Sequence, residues 1–262
     1  MRGIHANSYV ILKCARFSKD STDMDEDDSL FIDIFDRECG IRVRTTRPSD
    51  HDDIVEVSHL VYPPSLAWTY RELESHQRVF PEGQIVAIDE NSNTLVGTAM
   101  SLTVLWEDYE ITDDYIDFTD NGMFTNHDAG GRTLYGAEVF VHPDARGRGI
   151  GRRLYDARRI LCRQPGLLRI RAGARLPGYE SCSDRLSIHD YVLEVIRGRI
   201  FDPTLSFQLR NGFHVIQVVS GYLAPDAQSA NYAALIEWIN TDVAKESELE
   251  RARRRYAEFA AP

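Results

Sequence analysis

Apolar and charged residues alternate from Ile41 to Thr46 (IRVRTT), the period-two pattern of a half-buried strand. Pro48-Ser49-Asp50 then offers a helix start. Ile54, Val55, Val57, Leu60 and Val61 mark a short helix that Pro63-Pro64 stops. A second helix is predicted over Thr69–Arg78. Gln84–Asp89 (QIVAID) and Leu95–Leu105 read as the two strands of a hairpin that turns at Glu90–Asn93. Glu107–Thr133 is polar, acidic and rich in turn residues, which predicts a long functional or mobile loop. Leu134–Val141 is a strand, followed by a glycine-rich loop and a helix to about Arg163, ended by Pro165-Gly166. Leu167–Ala172 is the next strand. Asp184–Arg197 reads as a helix capped by Ser183 or Asp184, and Pro203–Arg210 as another that ends at Asn211-Gly212. Phe213–Val219 and Tyr232–Trp238 are the last strands, before a charged helix over Asp242–Phe259.

Size and composition narrow this picture modestly. A chain of 262 residues can hold one large domain or two small ones. The acidic run Asp20–Asp28 has little to bury and marks residues 1–40 as a separate, mobile extension; residues 241–262 read as a helical tail. The net charge of −11 argues against a nucleic-acid partner and suits a cationic acceptor such as an amine. No apolar run approaches the ~18 residues of a membrane span, and the N-terminus lacks the layout of a secretory signal. A cytoplasmic protein with no membrane partner is therefore expected. Cys14, Cys39, Cys162 and Cys182 show neither CxxC nor Cys/His metal spacing, so no metal is expected. They read as reduced thiols, with Cys182 the one worth testing for reactivity.

The chemistry concentrates in Val139–Leu154 (VFVHPDARGRGIGRRL). A strand, a glycine loop and a helix follow one another, the arrangement that gathers unpaired backbone N–H groups around a phosphate. Glycine lets an anion approach the backbone, and Arg146, Arg148, Arg152 and Arg153 add positive charge. A P-loop is excluded, because the lysines are at 13, 19 and 245 only. The dinucleotide fingerprint G-x-G-x-x-G also fails, since glycines at 147, 149 and 151 give G-x-G-x-G.

Arg146, Gly149 and Gly151 do fit Arg/Gln-x-x-Gly-x-Gly/Ala, and with the Val-x-Val-x-Pro strand before them the segment resembles motif A of the GNAT superfamily of acyl-CoA-dependent N-acyltransferases. The β-α-α-β-β start is similar to the way such domains begin. The resemblance implies an α/β fold with a mixed, splayed central sheet flanked by helices, over residues 41–240. Thr119–Asp128, Gly173–Tyr179, Asp202–Phe213 and Tyr232–Trp238 together resemble a narrower group: the GNAT domain at the N-terminus of bacterial proteins whose second half is a nitrilase-type carbon–nitrogen hydrolase. This chain has no room for that hydrolase and reads as a stand-alone or truncated relative.

The resemblance implies acetyl-CoA as co-substrate. Val139, Phe140 and Val141 would pair with the pantetheine arm as an added strand does. Arg146, Gly147, Arg148, Gly149, Ile150, Gly151 and Arg152 would hold the pyrophosphate. Glu138, directly before this stretch, is the candidate base, and His142 is expected to face away or to cap the loop. The family's acid is often a Tyr four residues before the Gly-Phe that ends the penultimate helix; here Gln208 stands there, and Phe201 replaces an Asn seven residues earlier. Tyr179, Tyr222 or a water are the alternatives. Trp68, Tyr70, Glu107 and Asp108 are nominated for the acceptor pocket. The expected function is N-acetylation of a small-molecule or protein amine in a ternary complex, and a homodimer is compatible with it. The alternative is a non-catalytic acyl-CoA-binding or protein-interaction module.

Overall fold

The structure, a computed structural model, describes residues 31–260 and the backbone strand Val10–Ile11. In chain order the elements begin β1 (Val10–Ile11), β2 (Asp33–Asp36), β3 (Ile41–Thr45), α1 (His51–Val61), α2 (Tyr70–Val79), β4 (Gln84–Asp89), β5 (Thr94–Val104), α3 (Tyr115–Thr119) and β6 (Thr133–Val141). They continue α4 (Ile150–Arg163), β7 (Arg169–Arg175), α5 (Ile188–Ile196), α6 (Leu205–Arg210), β8 (His214–Ser220), β9 (Tyr232–Ile239) and α7 (Glu246–Ala260). The acidic run Asp20–Asp28 lies outside the described residues. The chain divides into two compact units.

The first unit comprises Met1–Ala99 and Val139–Leu161. Its strands lie in the order β1-β2-β3-β4-β5, and β2, β3 and β4 pair antiparallel. The sheet therefore starts earlier than the sequence pattern predicts. Asp33–Asp36 is too short and too acidic to announce a strand, but two arginines neutralise it. Arg42 Nη1 lies 2.8 Å from Asp33, and Arg153 Nη2 lies 2.5 Å from Asp36. α2 opens with Thr69 and Glu72 in a reciprocal capping box. α4 presents Ile150, Leu154 and Ala157, at helical spacing, to Ile41, Val43, Ile85, Ala87 and Val96 of the sheet.

The second unit comprises Met100–Glu138 and Cys162–Pro262, with strand order β6-β7-β9-β8. β6 and β7 are parallel, but their ladder covers only Thr133–Tyr135 against Arg169–Arg171. β7 then runs on with β9 from Arg169↔Ile239 to Arg175↔Ala233. The printed pairing of β6 with β7 thus stops short of Gly136–Glu138.

The segment 107–133 departs from the long loop expected. Asp114 caps α3 by accepting from Asp117 N at 3.0 Å, and the segment buries Phe118 and Phe124 completely. Phe118 stacks between Trp106 and Tyr135, with centroids 5.1 and 4.7 Å away. Asn126 ties this stack together by donating to Tyr109 Oη at 2.7 Å and to the Phe118 carbonyl at 3.0 Å. α5 starts later than expected, because Ser187 rather than Ser183 or Asp184 caps it, accepting from Asp190 N at 3.1 Å. α7 is docked rather than solvated all round. Ala252 is buried, Tyr256 stacks on His214 at 4.2 Å, and Arg255 reaches Glu237 at 2.6 Å.

Candidate functional site

In the first unit, β6 ends at Val141 and a turn over Pro143–Ala145 leads into the glycine loop. His142 caps that turn, its Nδ1 accepting from Asp144 N at 3.2 Å. Its backbone N–H bonds the Val96 carbonyl at 2.9 Å, which fixes the strand end. Gly147 and Gly149 have φ of +78° and +76°, the left-handed region that disfavours a Cβ. Among the described residues, none accepts a hydrogen bond from the backbone N–H of residues 147–152. These donors converge at the N-terminus of α4, where the helix dipole adds partial positive charge. Backbone donors arranged in this way are able to take up an anion.

The arginines divide into two sets. Arg146 and Arg152 are exposed, and Arg152 has only Asp156 at 4.0 Å. Arg148 and Arg153 are held. Arg148 Nη2 lies 2.7 Å from Asp89 Oδ2, and that guanidinium together with Asn91 N–H keeps the Asp89 carboxyl below the usual range. Arg153 bonds Asp36 and the Arg148 carbonyl. A cleft of about 390 Å³ beside Arg148 is lined by Asp53, Glu56, Asp89, His142 and Asp144 among others. Its carboxylates disfavour an anion there.

In the second unit, Glu138 is half-buried on β6, past the residues that pair with β7. Near it lies Tyr222, one of the alternatives for the acid, in a pairing the sequence did not announce. Tyr135 and Tyr222 are both buried, and their hydroxyls hydrogen-bond to each other. Burial raises both phenols, and the negative charges of Glu138 and Asp114 raise Tyr222 further. The Tyr222 ring rests on Gly173 of β7, where a Cβ would lie 2.0 Å from Tyr222 Cζ. Gly173→Ala is therefore expected to drive the ring from its seat and destabilise the protein by about 1–3 kcal/mol. The check is a lower melting temperature with a changed near-ultraviolet tyrosine signal.

The other nominated residues separate clearly. Gln208 is buried in α6. Phe201 is 66% exposed, with the Arg210 guanidinium 5.6 Å from its ring centroid. The Tyr179 hydroxyl donates to the Leu186 carbonyl at 3.3 Å. Trp68 is buried against His76, with centroids 5.1 Å apart, as a core residue would be. Tyr70 is exposed and bonds Asp52. Glu107 and Asp108 form a turn with Trp106. Cys182 is half-buried, with its sulfur 3.7 Å from Ser181 Oγ. Among the described residues no group of three or more His, Cys, Asp or Glu is placed to hold a metal, and no helix is long and apolar enough to cross a membrane.

Comparison with known proteins agrees with this arrangement. Residues 52–182 match the Acetyltransferase (GNAT) family. A probable hydrolase, YhcX of Bacillus subtilis (strain 168), is 37% identical over 220 residues, which is 84% of this chain and 42% of that protein. The chain thus spans less than half the length of that relative. An uncharacterized N-acetyltransferase, YkwB of the same organism, is 34% identical over 211 residues, covering 79% of this chain and 92% of that one. The GphF GNAT-like decarboxylase, solved in complex with isobutyryl-CoA, superposes with a TM-score of 0.65 at 21% identity, over 76% of this chain and 98% of that one. The loading GNATL domain of CurA from Lyngbya majuscula gives 0.67 at 17% identity, over 76% and 97%. Those two likenesses concern the fold. Together with the glycine loop, the family match and the two bacterial relatives establish that the chain belongs to the GNAT acetyltransferase family.

Proposed function

We propose that the chain is an acetyl-CoA-dependent N-acetyltransferase that acylates an amine by direct transfer in a ternary complex. The observation that carries this reading is the row of backbone N–H groups at residues 147–152, which no described residue accepts from. In it, Gly147, Arg148, Gly149, Ile150, Gly151 and Arg152 hold the CoA pyrophosphate, and Arg146 adds charge at the rim. The backbone of Val139, Phe140 and Val141 pairs with the pantetheine arm. The solved relative holding isobutyryl-CoA supports a CoA thioester as the ligand class. The catalytic domain is taken as residues 41–240 together with the preceding strand β2, the protein as cytoplasmic, and the acceptor as a small-molecule or protein amine rather than a nucleic acid; a homodimer is compatible with this.

Glu138 is the base that takes the proton from the acceptor ammonium, so that the nitrogen lone pair can attack the thioester carbonyl; the C–S bond then breaks and CoA leaves as its thiol with the second proton of the amine. Its half-buried position limits competition from water. Glu138→Gln is expected to lower kcat by about 10²–10⁴-fold and to leave the Kd for acetyl-CoA unchanged. Steady thioester cleavage with a panel of amines, paired with isothermal titration, makes the check. Unchanged turnover in this variant would remove Glu138 from the mechanism.

The buried Gln208, in the place of the family's usual acid, favours a second reading: an acyl-CoA-binding or protein-interaction module without turnover. Acetyl-CoA binding without thioester cleavage across the amine panel would select it.

A further inference from the structure

We infer that Asp36 and Arg153 are positioning residues for the anion loop, fixing the Arg148–Gly149 peptide so that its N–H is offered to the ligand's phosphate. This rests on the reading that the loop takes an acyl-CoA pyrophosphate. Asp36 lies before residue 41 and outside the family match over 52–182, so the motif does not contain it.

The geometry is specific. Arg153 Nη2 and Nε both donate to Asp36 Oδ2, at 2.5 and 3.0 Å. Arg153 Nη1 donates to the Arg148 carbonyl at 3.3 Å. A trans peptide carries its C=O and N–H on opposite sides. Drawing the Arg148 carbonyl toward the guanidinium therefore turns the Gly149 N–H away from it, into the cradle. Arg153 also sits where a side chain at 149 would go, with Nη1 2.7 Å from the place of a Cβ. Glycine and arginine are thus matched to each other.

Asp36 keeps Arg153 in this role. Burial pushes the Asp36 carboxyl up, but Arg153 and Cys39 outweigh it and leave the group below the usual carboxylate range. The pair is ionised at neutral pH, and the guanidinium has its fork committed. Without Asp36, the arginine would be available to bind phosphate directly and would release the peptide. On the other flank Arg148 is tied to Asp89, so the loop is held from β2 and from β4.

The test uses the full chain with Arg153→Lys, Asp36→Asn and Asp36→Glu. The probes are acetyl-CoA, 3′-phospho-ADP (which keeps the diphosphate) and S-acetylpantetheine (which lacks it), titrated calorimetrically alongside thermal melts. A lysine can reach one acceptor but not both. Arg153→Lys and Asp36→Asn are expected to weaken acetyl-CoA and 3′-phospho-ADP by about 10-fold. S-acetylpantetheine binding should be unchanged, and Asp36→Glu should restore most of the affinity. Undiminished acetyl-CoA binding in both weakening variants overturns the inference. So does an equal loss for all three probes with a lowered melting temperature, which marks a structural role only. Failure of the unmodified chain to bind acetyl-CoA would instead overturn the function on which the inference rests.

Discussion

Gly149→Asp is expected to weaken acyl-CoA binding by at least about 100-fold, roughly 3 kcal/mol. Three effects add. The residue sits at φ +76°, which costs a non-glycine residue about 1–2 kcal/mol. A Cβ would lie 2.7 Å from Arg153 Nη1, so the guanidinium must shift and release the Arg148 carbonyl. The new carboxylate also places negative charge where backbone N–H groups and the α4 dipole await an anion. Gly147→Ala is the graded control. Its φ is +78°, but no atom lies within 4 Å of the added Cβ, so backbone strain alone remains. Isothermal titration reads both. Equal and undiminished affinities would show that the phosphates bind elsewhere.

Glu237→Gln is expected to be the most destabilising single change in the second unit. Glu237 is fully buried, and its two oxygens receive three arginines and a phenol. Arg171 Nη2 lies at 2.6 Å, Arg255 Nη2 at 2.6 Å and Arg169 Nη1 at 3.8 Å, with Tyr256 Oη at 3.0 Å. Arg171 is itself 2% exposed, lies 3.9 Å from the centre of the Trp106 ring, and is pulled down to about 10 by burial against the attraction of Glu237. Removing the carboxylate strands this charge, and breaking a buried pair costs about 3–5 kcal/mol. At roughly 2–4 °C per kcal/mol for a chain of this size, a drop on the order of 10 °C in Tm follows. Arg255→Leu should cost less, because its side chain is one-third exposed.

The same cluster sets an acid limit. Burial alone would raise the Glu237 carboxyl, but Arg171, Arg255 and Arg169 hold it below its ordinary value of 4.5. A group depressed in the folded state contributes stability above its unfolded pKa and loses it as pH falls through the folded one. Melts on the acid side of pH 4.5 should therefore fall more steeply for the unmodified chain than for Glu237→Gln. Parallel pH profiles would rule this carboxylate out as the cause.

Most of the secondary structure was legible along the chain. The alternation at Ile41–Thr45, the proline stop after α1, the period of α4 and the Asn211-Gly212 end of α6 are local signals, and local physics decides them. Errors arose where distant groups decide. Asp33–Asp36 is a strand that pairs with β3, packs Ile34 on the core and has its two carboxylates matched by arginines at 42 and 153. The segment 107–133 reads as polar loop because acidic and turn residues crowd around its apolar ones, although Phe118 and Phe124 become core. In α5, three Ser and Asp residues at 183, 184 and 187 could each cap a helix, and Ser187 is the one whose oxygen meets an N–H.

The sequence by itself determined the strand, glycine loop and helix proposed to hold the phosphates, because the three are contiguous and their backbone geometry is local. It also nominated Glu138, one residue ahead of that stretch. Only the tertiary structure decided which arginines stay exposed and which are held by Asp36 and Asp89. It alone brought Tyr222 onto Gly173 and Tyr135, and gathered three arginines around Glu237. Charge pairing and burial join residues tens to more than a hundred positions apart, and no pattern along a single strand or helix encodes which partner will be met.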